Sequence, residues 1–160
     1  MALERVAGLR NVVPRELTYM QEVVLYYSAL GYYEPQLATR IRRSEHTVHV
    51  HKRDARIRLQ AATITEAVLR AERYRFITTP NYTQHEFDHL KKLDDLEHDA
   101  LALVAEYDGQ YSSVLDVSRK LSLPYRKTKD VLTSVDSKLK FEGRGSKARS
   151  AMMYVVYNRQ

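Results

Sequence analysis

Ser44-Glu45-His46-Thr47-Val48-His49-Val50-His51-Lys52-Arg53-Asp54-Ala55-Arg56-Ile57-Arg58-Leu59 has the form of a capped, basic helix. Ser44 offers an N-cap oxygen, and Val48, Ala55 and Leu59 keep one apolar stripe at helical spacing. The other face carries His46, His49, Lys52, Arg53 and Arg56. A core has no use for so many donors at successive turns, whereas the phosphates and base edges of a DNA groove do.

Helices are predicted on both sides of this stretch. Residues 18 to 30 open with Thr18-Tyr19-Met20-Gln21, a capping box, and continue through Val23, Val24, Tyr27 and Leu30 until Gly31 stops them. A short helix begins near Glu34-Pro35 and buries Leu37, Ala38 and Ile41, and Arg42-Arg43 form the turn that follows. Thr63-Ile64-Thr65-Glu66 is a second capping box and opens a fourth helix through Ala67, Val68 and Ala71 to about Arg73.

After Pro80 the pattern restarts. Thr83 caps a helix with Phe87, Leu90 and Leu93, a run from about Leu96 to Tyr107 follows, and Asp108-Gly109 breaks it. Ser113 caps the next helix, and Ser122-Leu123-Pro124 leads into a long one with Val131, Leu132, Val135 and Leu139 inward. Glu142 to Lys147 forms a glycine-broken basic tip, and Ala151 to Tyr157 is predicted as a strand returning from it. The fold class expected is mainly α, a tandem helix-turn-helix: a four-helix domain over 1–79, then a winged-helix domain over 80–160 with acidic leading helices and a small β-hairpin.

Thr18 to Ile77 resembles the DNA-binding domain of the LuxR/GerE family of transcription regulators. Leu17-Thr18, Gly31, Leu37-Ala38, Ser44-x-x-Thr47-Val48-x-Val50-His51, Leu59 and Thr65-Glu66-Ala67-Val68 carry the resemblance, over about 60 of the 160 residues. Arg42, Arg43 and Lys52 depart from it, adding positive charge where the family has small or apolar residues. The resemblance implies that the third helix enters the major groove with His49, Val50 and Arg53 at base edges, and that the fourth pairs subunits, giving a homodimer through Ile64–Tyr74. Arg42, Arg43, His46, Thr47, Lys52 and Arg56 are assigned to the DNA backbone. Residues 80–160 resemble winged-helix domains only in general, with Tyr125, Arg126, Lys127 and Lys129 on a recognition helix and Arg144, Lys147 and Arg149 on the wing.

Charge is segregated. Residues 1–79 hold 13 Lys/Arg and 8 Asp/Glu, residues 80–108 hold 2 and 8, and residues 109–160 hold 11 and 4, so two basic ends flank an acidic middle. A polyanion held at both ends fits that distribution. Zero cysteines exclude disulfides and thiolate zinc sites, and no apolar run reaches the length of a membrane helix. The N-terminus has no signal-peptide apolar region, so a cytoplasmic location is expected. The 17 residues before Thr18 hold no receiver or ligand-binding domain, so control through expression level, a partner or dimerisation is expected, as suits a regulator from a mobile element.

His85-Glu86-Phe87-Asp88-His89 matches the H-E-x-x-H pattern of zinc peptidases. Asp88 is charged where such helices are apolar, and Lys92 and Asp95 stand where a metzincin would continue with glycine and histidine. With no glycine-rich phosphate loop, no G-x-S-x-G elbow and no cysteine nucleophile, no enzyme, metal or cofactor is expected. The expected function is a sequence-specific, double-stranded DNA-binding transcription regulator. A second reading stays open, a sigma-like adaptor whose helices contact RNA polymerase or another regulator.

Overall fold

The computed structural model describes residues 16–106 and 113–160. Among them are nine α-helices: α1 Tyr19–Ala29, α2 Glu34–Ile41, α3 Glu45–Leu59, α4 Ile64–Arg73, α5 Gln84–Asp88, α6 Asp95–Val104, α7 Val114–Leu121, α8 Tyr125–Leu139 and α9 Lys147–Asn158. A 3₁₀ turn, His89–Lys92, follows α5. The protein is mainly helical, and no helix among the described residues is long and apolar enough to cross a membrane. The break expected at Asp108-Gly109 lies outside the described residues.

Side chains written into the sequence set most helix starts. Thr18 accepts from Gln21 N while Gln21 returns a bond to Thr18 N, and Thr83 with Glu86 and Asp94 with Glu97 do the same. Ser44, Thr63, Ser113 and Ser146 each accept from the third backbone N–H of their helix. Thr63 begins α4 as expected, and the Glu66 carboxylate reaches the N–H of Ala62.

α1 packs on α3 and α4, α2 on α3, and α3 on α4. Val24, Leu37, Ala38 and Val48 form a small core of their own beneath α2 and α3. The larger core is shared by both halves of the chain: Leu25, Ala55 and Val68 belong to one continuous cluster with Leu101, Val135 and Met152. α9 lies along α4, and the buried Tyr82 hydroxyl donates to Ala29 O at 2.7 Å. The boundary expected after residue 79 thus divides the chain order and not the core.

One expectation needs correction. Residues 151–157 are not a strand: they continue α9, and the only pairing among the described residues nearby is an isolated bridge between Phe141 and Arg144. Ser146 caps this helix, and Ala148, Ala151, Met152 and Met153 turn inward at helical spacing. Lys147 to Met153 is rich in strong helix formers, which carry the β-favouring Tyr154-Val155-Val156-Tyr157 along. The winged hairpin is therefore not formed among the described residues. α4, the helix expected to pair with another copy, packs against α9, with Ala67, Val68, Leu69, Ala71 and Glu72 buried.

One buried ion pair ties the last helix to the middle of the chain. Arg149 is 2% exposed and donates to Glu86 Oε1 at 2.8 Å and to Leu139 O at 2.6 Å. Gly31 makes room for it. Its φ is +86°, and a Cβ there would lie 2.7 Å from Arg149 Cδ and 3.0 Å from Gly145 N.

Candidate nucleic-acid interface

α2 ends in a Schellman turn. Arg42 takes the left-handed conformation, φ 56° and ψ 47°, and the N–H of Arg43 returns to Ala38 O at 3.0 Å. One residue later Ser44 caps α3, its Oγ accepting from Thr47 N at 3.1 Å and lying 2.9 Å from Thr47 Oγ1. Three residues thus join the two helices, and both arginines of the turn are exposed. The Arg43 guanidinium folds back onto Arg42 O at 3.1 Å.

α3 buries Val48, Ala55 and Leu59 and presents His46, His49, Arg53 and Ile57 to solvent, with Val50 half-buried beside them. His49 and Arg53 have side chains 65% and 52% exposed, so the expected base-reading positions do share an open face. Arg53 rests on its neighbour Asp54, with Nε and Nη2 each 3.2 Å from Oδ1. An exposed pair of this kind is held by no more than about 1 kcal/mol, so a better acceptor displaces it.

The remaining predicted contacts divide. Arg42, Arg43 and His46 are open to solvent. Thr47 is half-buried and engaged with its cap. Lys52 Nζ lies 3.6 Å from Glu34 Oε1, and His49 Nδ1 lies 3.7 Å from the same oxygen. Burial pushes the Lys52 ammonium below its usual range, and Glu34 opposes that shift. Arg56 donates to Ala62 O at 3.3 Å, bracing the α3–α4 turn. Glu34 could not be singled out from spacing, since only the docking of α2 on α3 brings a carboxylate beside His49 and Lys52.

In the second half, Tyr125, Arg126, Lys127 and Lys129 are all exposed on the first turns of α8. The three residues assigned to a wing behave differently. Glu142 and Gly143, with φ of 51° and 73°, make a tight two-residue turn. Arg144 folds over the Tyr32 ring at 5.3 Å and donates to Glu142 at 3.1 Å. Lys147 is half-buried beside Asp136, and burial lowers its pKa against that carboxylate's opposition. Arg149 is in the core and cannot reach DNA, a correction that follows from α9 being a helix.

His85 and His89 meet edge to face at 5.1 Å, and both contact Phe141 in the same way. Glu86, the residue that would activate water in a peptidase, is buried and already accepts from Thr83 N at 2.7 Å and from Arg149. Among the described residues no group of three or more His, Cys, Asp or Glu is gathered as metal ligands.

No protein-family model, curated protein or solved structure matches the chain.

Proposed function

We propose that the protein is a sequence-specific, double-stranded DNA-binding transcription regulator whose α3 lies in the major groove. The observation that carries this reading is the three-residue turn from α2 into a capped helix whose open face presents His46, His49 and Arg53 beside the exposed Arg42 and Arg43. Arg53 matches guanine O6 and N7, and Val50 matches a thymine methyl. Arg42, Arg43 and His46 suit the flanking phosphates, while Lys52, Thr47 and Arg56 support the helix and contribute to binding less directly. Tyr125, Arg126, Lys127 and Lys129 add a second basic contact.

Selection of bound duplexes from a randomised pool, at near-physiological salt with excess competitor, tests the proposal. Enrichment of one motif supports it, with Arg53→Ala costing about 1 to 3 kcal/mol on the preferred site and relaxing one position. Salt-sensitive binding with no enriched sequence would refute it and direct attention to protein partners.

A further inference from the structure

The two halves of the chain are built alike. α2 and α7 each have 8 residues, α3 and α8 each have 15, and the second pair follows the first by the same 80 positions. The turn between them is reproduced as well. Ser122 is left-handed at φ 54° and ψ 42°, as Arg42 is, and Leu123 N returns to Ser118 O at 3.0 Å, as Arg43 N returns to Ala38 O. Buried positions coincide: Leu37 with Val117, Ala38 with Ser118, Val48 with Thr128, Ala55 with Val135 and Leu59 with Leu139. Preceding them, α1 and α6 both open on a capping box and bury their residues in one register, Gln21, Val24 and Leu25 against Glu97, Ala100 and Leu101. The packing scheme repeats too, α6 on α8 and α9, α7 on α8, and α8 on α9.

The fourth helix of the second unit packs on α4 and also on α1 of the first. α4 and α9 lie against each other, with Arg159 of the last turn paired to Glu72 of α4 at 3.0 Å. The surface through which one helix-turn-helix unit would recruit another is thus filled from within the same chain.

The stripe that α3 exposes, positions 46, 49, 50, 53 and 57, corresponds on α8 to Arg126, Lys129, Asp130, Thr133 and Ser137, all exposed. Three polar groups of α8 off this stripe are engaged elsewhere, Lys138 and Ser134 by Glu97 and Asp136 by Ser150. The side chains of the open stripe face solvent. Its chemistry also differs from that of α3: lysine reaches guanine, a carboxylate accepts from cytosine N4, and threonine offers a methyl and a hydroxyl.

We infer that the chain is a single-chain counterpart of a helix-turn-helix dimer, in which Lys129, Asp130 and Thr133 of α8 read a second, unlike half-site on the duplex that α3 contacts. This rests on the proposed DNA-reading role of α3. One copy of the protein then covers an asymmetric site made of two unlike half-sites.

The test is duplex selection with the full chain, Arg53→Ala, Lys129→Ala and Asp130→Ala, together with the protein-to-duplex ratio by analytical ultracentrifugation. The expected result is a bipartite, non-palindromic motif bound one to one. Arg53→Ala should blur one half only, and Lys129→Ala or Asp130→Ala the other only, each weakening the complete site about 5- to 150-fold. Inserting 5 base pairs between the halves should cost at least as much. A palindrome bound by two copies, or a single half-site indifferent to Lys129 and Asp130, would overturn the inference and leave the role of α3 standing. No motif at all would overturn both.

Discussion

Replacing Arg149 by methionine removes the cation from a buried pair while keeping most of its apolar volume. Arg149 is 2% exposed, and its loss leaves two acceptors short: Leu139 O, which took Nη1 at 2.6 Å, and Glu86 Oε1, which took Nη2 at 2.8 Å. Glu86 keeps the N–H of Thr83 but stays buried with its charge uncompensated. Breaking such a pair from one side costs about 3 to 5 kcal/mol, which for a chain of this length lowers Tm by about 6 to 20 °C. Burial pushes the Glu86 carboxyl up, but the Thr83 N–H and Arg149 outweigh it and hold the group below its usual range. A depressed carboxylate stabilises the fold above its unfolded pKa, and that contribution is lost as pH falls through the folded value. The gap between wild type and Arg149→Met should therefore be widest near pH 7 and narrow below the ordinary carboxylate range. Thermal and urea melts followed by circular dichroism read both quantities. Adding Glu86→Gln to Arg149→Met should recover part of the loss, since the amide still accepts from Thr83 and carries no charge. A Tm change under 2 °C in Arg149→Met, or a gap that widens in acid, would refute the reasoning.

Gly31→Ala should cost about 2 to 4 kcal/mol in a urea melt, because a Cβ at φ +86° is strained and meets the pinned Arg149 Cδ at 2.7 Å. Arg42→Gly should do the reverse for stability, gaining about 1 kcal/mol by relieving a left-handed non-glycine residue at φ 56°. If Arg42 meets a phosphate, the same variant should reduce the magnitude of the salt slope of duplex binding by about 1. Acid should unfold the protein more readily than its basic composition alone suggests. At Glu72 and Glu97, as at Glu86, burial raises the carboxyl pKa but is outweighed, by Arg159 and Thr79 in one case and by Lys138, Ser134 and the Asp94 N–H in the other. Their stabilisation is lost as pH falls below the usual glutamate range, and Asp136, which burial pushes up, opposes the trend. A melting temperature unchanged between pH 7 and pH 3 would contradict this.

Most helix starts in both units are legible because they are made by local chemistry. Thr18, Ser44, Thr63, Thr83 and Ser113 cap helices through bonds to residues three positions on, a relation the sequence displays directly. Local pattern misled at the other end. Tyr154 to Tyr157 favours strand on its own, and only the cap at Ser146 with the helix-forming Lys147 to Met153 decides the segment. Once that segment is a helix, Arg149 turns into the core and the expected wing has no return strand. The placement of Glu34 beside Lys52 depended on how α2 docks against α3, which no spacing encodes.

The correspondence between the halves is hidden for a related reason. Between residues 34–59 and 114–139 only Leu59 and Leu139 are identical, so comparing letters finds nothing. What the halves share is which positions are buried and where the backbone turns left-handed, and several residue types satisfy each demand: Val48 or Thr128 inward, Arg42 or Ser122 at the turn. Packing constrains volume and polarity at those sites and leaves the outward stripe unconstrained. If the stripe reads DNA, divergence there changes the preferred sequence at no cost to the fold. His49, Val50 and Arg53 against Lys129, Asp130 and Thr133 is then the difference that gives one chain two unlike half-sites. Exchanging His49 with Lys129 and Arg53 with Thr133, all four exposed, should leave the melting temperature within about 2 °C, since surface changes of this kind cost little. The same exchange should reverse the order of the two halves in the selected motif. A swapped protein that folds normally yet selects the original order would show that the stripes do not set the sequence read.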